Sequence, residues 1–154
     1  MTMPSFSRIT TKPSPSVEPG RVLSILYPEG IAFGAAERKS GGVFVGMVGL
    51  QRFRGAGPLG PCVEIGWRLA REHWGMGYAT EAARAWLAHG FDALGLPEIV
   101  AFTNAGNARS LAVMARLGMR CDPGRDFEHP GVPEGHPLRA HVLYSARRPE
   151  RTAG

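Results

Sequence analysis

The segment Val63-Glu-Ile-Gly-Trp-Arg-Leu69, followed four residues later by His73-Trp-Gly-Met-Gly-Tyr-Ala79, decides the reading of this chain. In the first half Val63, Ile65, Trp67 and Leu69 alternate with Glu64, Gly66 and Arg68, the period of a strand with one apolar and one polar face. In the second half two glycines lead into a helical period, with Ala79, Ala82, Ala83, Trp86, Leu87, Gly90, Phe91 and Leu94 at three- and four-residue spacing. Gly95 and Leu96-Pro97 stop that helix. A glycine turn opening onto a helix N-terminus gathers unpaired N–H groups and the positive end of the helix dipole, which suits a phosphate or diphosphate. The turn matches neither the P-loop nor the dinucleotide-fold spacing.

Outward from this segment the pattern remains mixed. Upstream, Ile31 to Glu37 and Val43 to Leu50 flank Gly41-Gly42 and read as a hairpin. Downstream, Ile99-Val-Ala-Phe-Thr103 has the apolar texture of an interior strand. Asn107 caps a second helix, Ala108 to Leu117, which Gly118 ends, with Met119 placed to close on Met114. After a long Gly/Pro/His loop from Asp122 to Ala140, His141 to Arg147 gives a last strand. Residues 1–21 contain Pro4, Pro13, Pro15 and Pro19 among serines, and read as a disordered segment. The expected domain is 22–148, with 149–154 a tail.

The chain has 154 residues, one domain's worth. No apolar run is long enough for a membrane span or a signal-peptide core, which points to the cytoplasm. Cys62 and Cys121 lack metal-ligand or redox spacing. The net charge of +5 comes from sixteen Arg and two Lys against thirteen acidic residues. The arginines are scattered, with no basic stripe interleaved with aromatics, so the charge suits an anionic small ligand better than nucleic acid.

Trp74-Gly-Met-Gly-Tyr-Ala79 resembles the coenzyme A diphosphate loop of the GNAT family of N-acetyltransferases. In that family a Gln or Arg usually stands where this chain has Trp74. That departure, together with Glu64-Ile-Gly-Trp-Arg-Leu69, Ala101-Phe-Thr-Asn104, Asn107 with Ser110, Leu117-Gly-Met119 and His141-Val-Leu-Tyr144, is similar to the RimJ/RimL-like branch. The resemblance runs from about residue 31 to 148. It implies an α/β (α+β) fold with a mixed, mostly antiparallel sheet flanked by helices, whose fourth and fifth strands, here Val63 to Leu69 and Ile99 to Thr103, splay apart. Pantetheine would lie in the gap by edge addition. Trp67, Arg68 and Leu69 would hold pantetheine, Trp74, Gly75, Met76, Gly77, Tyr78, Ala79 and Thr80 the diphosphate, and Asn104 and Asn107 the cofactor arm.

The resemblance also implies acetyl-CoA as cosubstrate, a primary amine as acceptor and direct attack in a ternary complex. Glu64, on the polar strand face, is the candidate base through water; a surface ion pair with Arg68 is the competing role. Many relatives place a tyrosine beside the leaving thiolate, but Met114 stands at that position here and cannot donate a proton. Ser110 is the candidate donor instead, against simple first-turn capping. At pH 7 an α-amine is deprotonated for about 1 kcal/mol and a lysine for about 4.6 kcal/mol, which favours a peptide N-terminus or an activated small amine.

His129, His136 and His141 are expected to shape the acceptor pocket rather than to bind metal. The family's first strand and helices look shortened or absent, with Arg21 to Tyr27 the stretch that could supply the strand. An edge left open in that way favours a homodimer. The same shortening leaves a CoA-binding protein without turnover as the alternative.

Overall fold

The computed structural model describes residues 9–10, 30–38 and 41–150. Most of the 1–21 segment, the stretch from Arg21 to Tyr27, and the last four residues of the tail lie outside them. The elements, in chain order, are β1 (Ile9–Thr10), β2 (Phe33–Glu37), β3 (Phe44–Phe53), β4 (Cys62–Leu69), α1 (Tyr78–Ala88), β5 (Glu98–Asn104), α2 (Ala108–Arg116), β6 (Arg120–Cys121), β7 (Phe127–Glu128) and β8 (Ala140–Arg147). The strands form one eight-stranded sheet in the order β1-β2-β3-β4-β5-β8-β6, with β7 also paired to β8.

Every strand pair except β4–β5 is antiparallel. β4 and β5 run parallel and share a single register pair, Glu64 with Val100. β3 and β4, by contrast, stay in register from Gly46–Leu69 to Phe53–Cys62. The sheet therefore splits beyond Glu64, as the resemblance implies. Both strands continue on the far sides of the gap, leaving the inner edge of β4 from Ile65 to Leu69 without a β5 partner.

One apolar cluster lies on the α1 side of the sheet, where Val48, Leu50, Val63, Ile65 and Ile99 pack against Ala82, Ala83, Trp86 and Leu87 of α1. A second occupies the opposite face: Leu59, Val100, Phe127 and Leu143, with Phe53, Cys62 and Phe102 against them. Strand alternation thus sends Val63 and Ile65 to one face and Cys62 and Glu64 to the other.

Two elements differ from the sequence reading. The helix expected to run to Leu94 is α-helical only to Ala88, and His89–Ala93 form a π-turn in which the Leu94 N–H donates to the His89 carbonyl at 3.1 Å. Gly90 explains the widening. A Cβ there would lie 2.5 Å from Ile99 Cδ1 and 3.3 Å from Leu50 Cδ1, so a side chain would push these core methyls aside where glycine lets the turn settle onto β5. The second difference is β1: Ile9 and Thr10, inside the segment read as disordered, pair with Ala36 and Ala35. Two residues among serines and prolines carry too little periodicity to signal a strand; the pairing comes from the exposed edge of β2.

The close of α2 follows the sequence. Asn107 Oδ1 accepts the Ser110 N–H at 3.2 Å, and at the other end the Met119 N–H reaches the Met114 carbonyl at 3.1 Å while that of Gly118 reaches Ala115 at 3.0 Å. This is the paired hydrogen bonding of a Schellman closure.

Candidate active site

The end of β4, the glycine turn and the N-termini of α1 and α2 enclose an open cleft of about 940 Å³. Ten of the twelve residues expected to hold a cofactor line it: Trp67, Arg68, Leu69, Trp74, Gly75, Gly77, Tyr78, Ala79, Thr80 and Asn107. Ser110 lines it too. Met76 and Asn104 do not. Met76 is 48% exposed at the crest of the turn. The Asn104 side chain is used locally, its Oδ1 accepting the Gly106 N–H at 3.1 Å.

The turn has the shape an anion needs. Gly75 and Gly77 sit at φ +74° and +79°, in the left-handed region that side-chained residues avoid. Gly77 caps α1, and its carbonyl accepts the Glu81 N–H at 3.0 Å. The N–H groups at the start of a helix point out along its axis with no carbonyl of the preceding turn to bond, and carry the positive end of the dipole. Burial of Tyr78 and Thr80 anchors the turn to the core.

The cleft is cationic, with Arg68, Arg71, Arg109 and Arg116 on its walls. Trp74 is held across its mouth by two contacts. Its indole N–H donates to the Leu69 carbonyl at 2.9 Å, and the Arg109 guanidinium lies 4.1 Å above its ring. These four arginines form no group along the sequence. They come from β4, the following turn and both ends of α2, and only the fold brings them together.

Asn107 joins the two halves of the cleft. Besides capping α2, its Nδ2 donates to Thr103 Oγ1 at 3.0 Å, tying the helix to the end of β5. Asn107→Ala should therefore lower stability by about 1 kcal/mol or somewhat more, the usual loss for an N-cap together with one further hydrogen bond, read as a drop in denaturant midpoint.

Glu64 lies outside the cleft lining, beside the single β4–β5 pair and on the sheet face away from α1. Its carboxylate accepts from Gln51 Nε2, the residue directly opposite on β3. The Phe53 and Phe102 rings, 4.9 Å apart, meet across β4 on this face. Burial pushes the Glu64 carboxyl up to about 7, against the weaker opposing effects of the Gln51 hydrogen bond and the Arg68 charge. Gln51 was not among the residues the sequence singled out. Its signal is the hairpin register, which single-strand periodicity does not contain.

Neighbouring groups are structural. Burial, reinforced by Glu64 and Glu98, raises the Cys62 thiol to about 11, so it is protonated at neutral pH and is no nucleophile. Arg125 clasps Glu98 at 2.8 and 2.9 Å and Asp122 at 2.8 Å, strapping the loop after β6 to the start of β5. No described helix is long and apolar enough to cross a membrane.

The chain shares its fold with solved acetyltransferases. One from Agrobacterium tumefaciens is 29% identical, with a TM-score of 0.60 over 82% of this chain and 65% of that one. Mycobacterium smegmatis RimJ, solved in complex with CoA-disulfide, shares the fold at 24% identity, with a TM-score of 0.64 over 90% of this chain and 69% of its own. The acetyltransferase (GNAT) domain model matches residues 8–120, and the chain belongs to that family. The match starts at residue 8, earlier than the domain boundary read from the sequence.

Among curated proteins the chain is similar to the uncharacterized protein YkkB of Bacillus subtilis, at 38% identity over 92 residues, 58% of this chain and 51% of that protein. It is also similar to the FsC-acetyl coenzyme A-N(2)-transacetylase of Aspergillus fumigatus, at 37% identity over 91 residues, 56% of this chain and 37% of that protein. The matches thus span about half or less of these relatives.

Proposed function

We propose that this chain transfers an acetyl group from acetyl-CoA to a primary amine by direct attack in a ternary complex. The observation that carries the reading is the cationic cleft at the split between β4 and β5. Four guanidiniums and the glycine turn at the positive N-terminus of α1 fit a diphosphate with an extra phosphate, and the inner edge of β4 beyond its single β5 pair fits the amide-bearing arm that leads from it. Trp67 to Leu69 bind that arm, and Gly75 to Thr80 bind the diphosphate. Trp74, Arg109 and Arg71 close over the nucleotide end. Met76 and Asn104 have only backbone roles.

Glu64 is the base. With its carboxyl near 7 it is matched to an amine of comparable basicity and takes up the ammonium proton through water. A backbone N–H of β4 beyond Glu64 binds the acetyl carbonyl oxygen as charge develops there. The Ser110 hydroxyl, in the first turn of α2 and on the cleft wall, donates to the leaving sulfur. The acceptor approaches on the Glu64 face, opposite the helices. We place the protein in the RimJ/RimL-like branch and in the cytoplasm, with the edge of the sheet available for a homodimer.

The test is thiol release from acetyl-CoA by the purified chain against peptide N-termini, polyamines and aminoglycosides. Amine-dependent release supports the reading. Tight acetyl-CoA binding with no release on any amine would replace it with a CoA-binding protein without turnover.

A further inference from the structure

The turn between β5 and α2 separates two cavities. Asn107 lines the cationic cleft, while Ala105 lines a second cavity of about 540 Å³, bounded by Gly57 and Pro58 of the β3–β4 loop and by Phe127 and His141. Beside it is an aromatic cluster on the face that bears Glu64. Phe53, Phe102 and Phe127 meet at centroid distances of 4.9, 5.0 and 5.5 Å. His129 and His141 lie against them, their own rings 5.0 Å apart.

The backbone sets both tautomers, and sets them oppositely. His141 Nδ1 lies 3.0 Å from the Arg139 carbonyl oxygen, so in the neutral ring Nδ1 carries the proton and Nε2 is the acceptor. His129 Nδ1 accepts the Gly131 N–H at 3.0 Å, so in the neutral ring the proton sits on Nε2, a donor. Among the described residues the one buried side-chain polar atom without a partner is Trp86 Nε1. Neither histidine Nε2 is thus buried without a partner, and His141 lines the cavity with His129 stacked behind it.

The charged groups around the pair are already engaged. Asp126 accepts the Leu143 N–H at 2.9 Å, Glu128 pairs with Arg139 at 2.9 Å, and Arg139 also donates to the Val132 carbonyl at 2.8 Å. Burial and the neighbouring His141 hold His129 below the usual imidazole range, so it is neutral at pH 7.

An accepting nitrogen beside a donating one complements a group that offers a donor and an acceptor together, and a secondary amide does so. We infer that His141 and His129 are specificity-determining residues of the acceptor site, His141 Nε2 accepting the N–H and His129 Nε2–H donating to the C=O of an amide next to the amine. The inference rests on the N-acetyltransferase reading and narrows its acceptors to amines that bear an amide. A polyamine offers the pair no hydrogen-bond acceptor.

The experiment compares a short peptide amide with its depsipeptide analogue, in which an ester oxygen replaces the first amide N–H, and with spermidine. Binding to the CoA-loaded chain is measured by calorimetry and turnover by thiol release, for the native chain and for His141→Phe and His141→Gln. The native chain should favour the amide over the ester by about tenfold in affinity and in kcat/KM, the factor for one buried hydrogen-bond partner. His141→Phe should bring that ratio near one, whereas Gln, whose side-chain oxygen can still accept, should retain part of it. A ratio that survives in His141→Phe overturns the inference, and so does a native chain that treats amide, ester and spermidine alike, which would leave the acetyltransferase reading intact. An amide preference in binding with no acetyl transfer would instead support this site and contradict that reading. If neither variant folds, the native ratio decides.

Discussion

Glu64→Gln is expected to lower kcat by about a hundredfold to ten-thousandfold while leaving acetyl-CoA affinity unchanged. Gln keeps the size and the hydrogen bonding to Gln51 but cannot take up a proton. The carboxyl lies outside the cleft lining and bonds Gln51, so its replacement leaves the cofactor walls in place. The pH profile provides a second readout. A base must be deprotonated, so kcat/KM of the native chain rises as pH increases through about 7 and then levels; in the variant this limb disappears.

The same substitution makes a stability prediction of known sign. The folded carboxyl titrates near 7, above its ordinary value of 4.5, so the folded state binds the proton more tightly than the unfolded one. The stabilising effect of the protonated carboxyl is full below its unfolded pKa and is lost as pH rises through the folded value. Glu64→Gln mimics the protonated form. Its melting temperature should exceed that of the native chain at pH 8, and the gap should close toward pH 5. An unchanged kcat, or a variant less stable than the native chain at pH 8, would remove Glu64 from its assigned role.

Gly77→Val carries the second large effect. Gly77 holds φ +79° at the cap of α1, a conformation that a β-branched residue adopts only with severe strain. The turn must reroute, and the N–H groups of Tyr78 to Thr80 lose their common aim. Losing about two charge-assisted hydrogen bonds at ~1.5–3 kcal/mol each weakens acetyl-CoA binding by about a hundredfold or more. The thermal stabilisation that saturating acetyl-CoA gives the native chain should shrink in step. A native-like dissociation constant in a folded Gly77→Val protein would show that the turn does not hold the diphosphate.

Local signals carried much of this architecture. The alternation at Val63 to Leu69, the glycines before Tyr78, the Asn107 cap and the Gly118-Met119 closure each operate within a few residues, and each stands in the structure where the sequence places it. Three features depend on contacts between distant segments. The π-turn after Ala88 comes from Gly90 meeting Ile99; the pairing of Ile9–Thr10 depends on an open edge at β2; and the Gln51–Glu64 pair depends on hairpin register. The site divides in the same way. The glycine turn was legible because its residues are contiguous, whereas the arginine walls and the opposed tautomers of His129 and His141 arise only from folding. Met76 and Asn104 belong to the contiguous motifs, but the turn crest and a local hydrogen bond take their side chains out of the cleft.

The most direct test of the central claim is calorimetric titration of acetyl-CoA into the native chain, with desulfo- and dephospho-coenzyme A as comparators. A cleft built from Arg68, Arg71, Arg109, Arg116 and the turn at Gly75 to Thr80 predicts one-to-one binding that does not require the sulfur, weakens when the extra phosphate is removed, and falls with added salt. Absence of saturable binding would contradict the assignment of the cleft, and with it the roles given to Glu64 and Ser110.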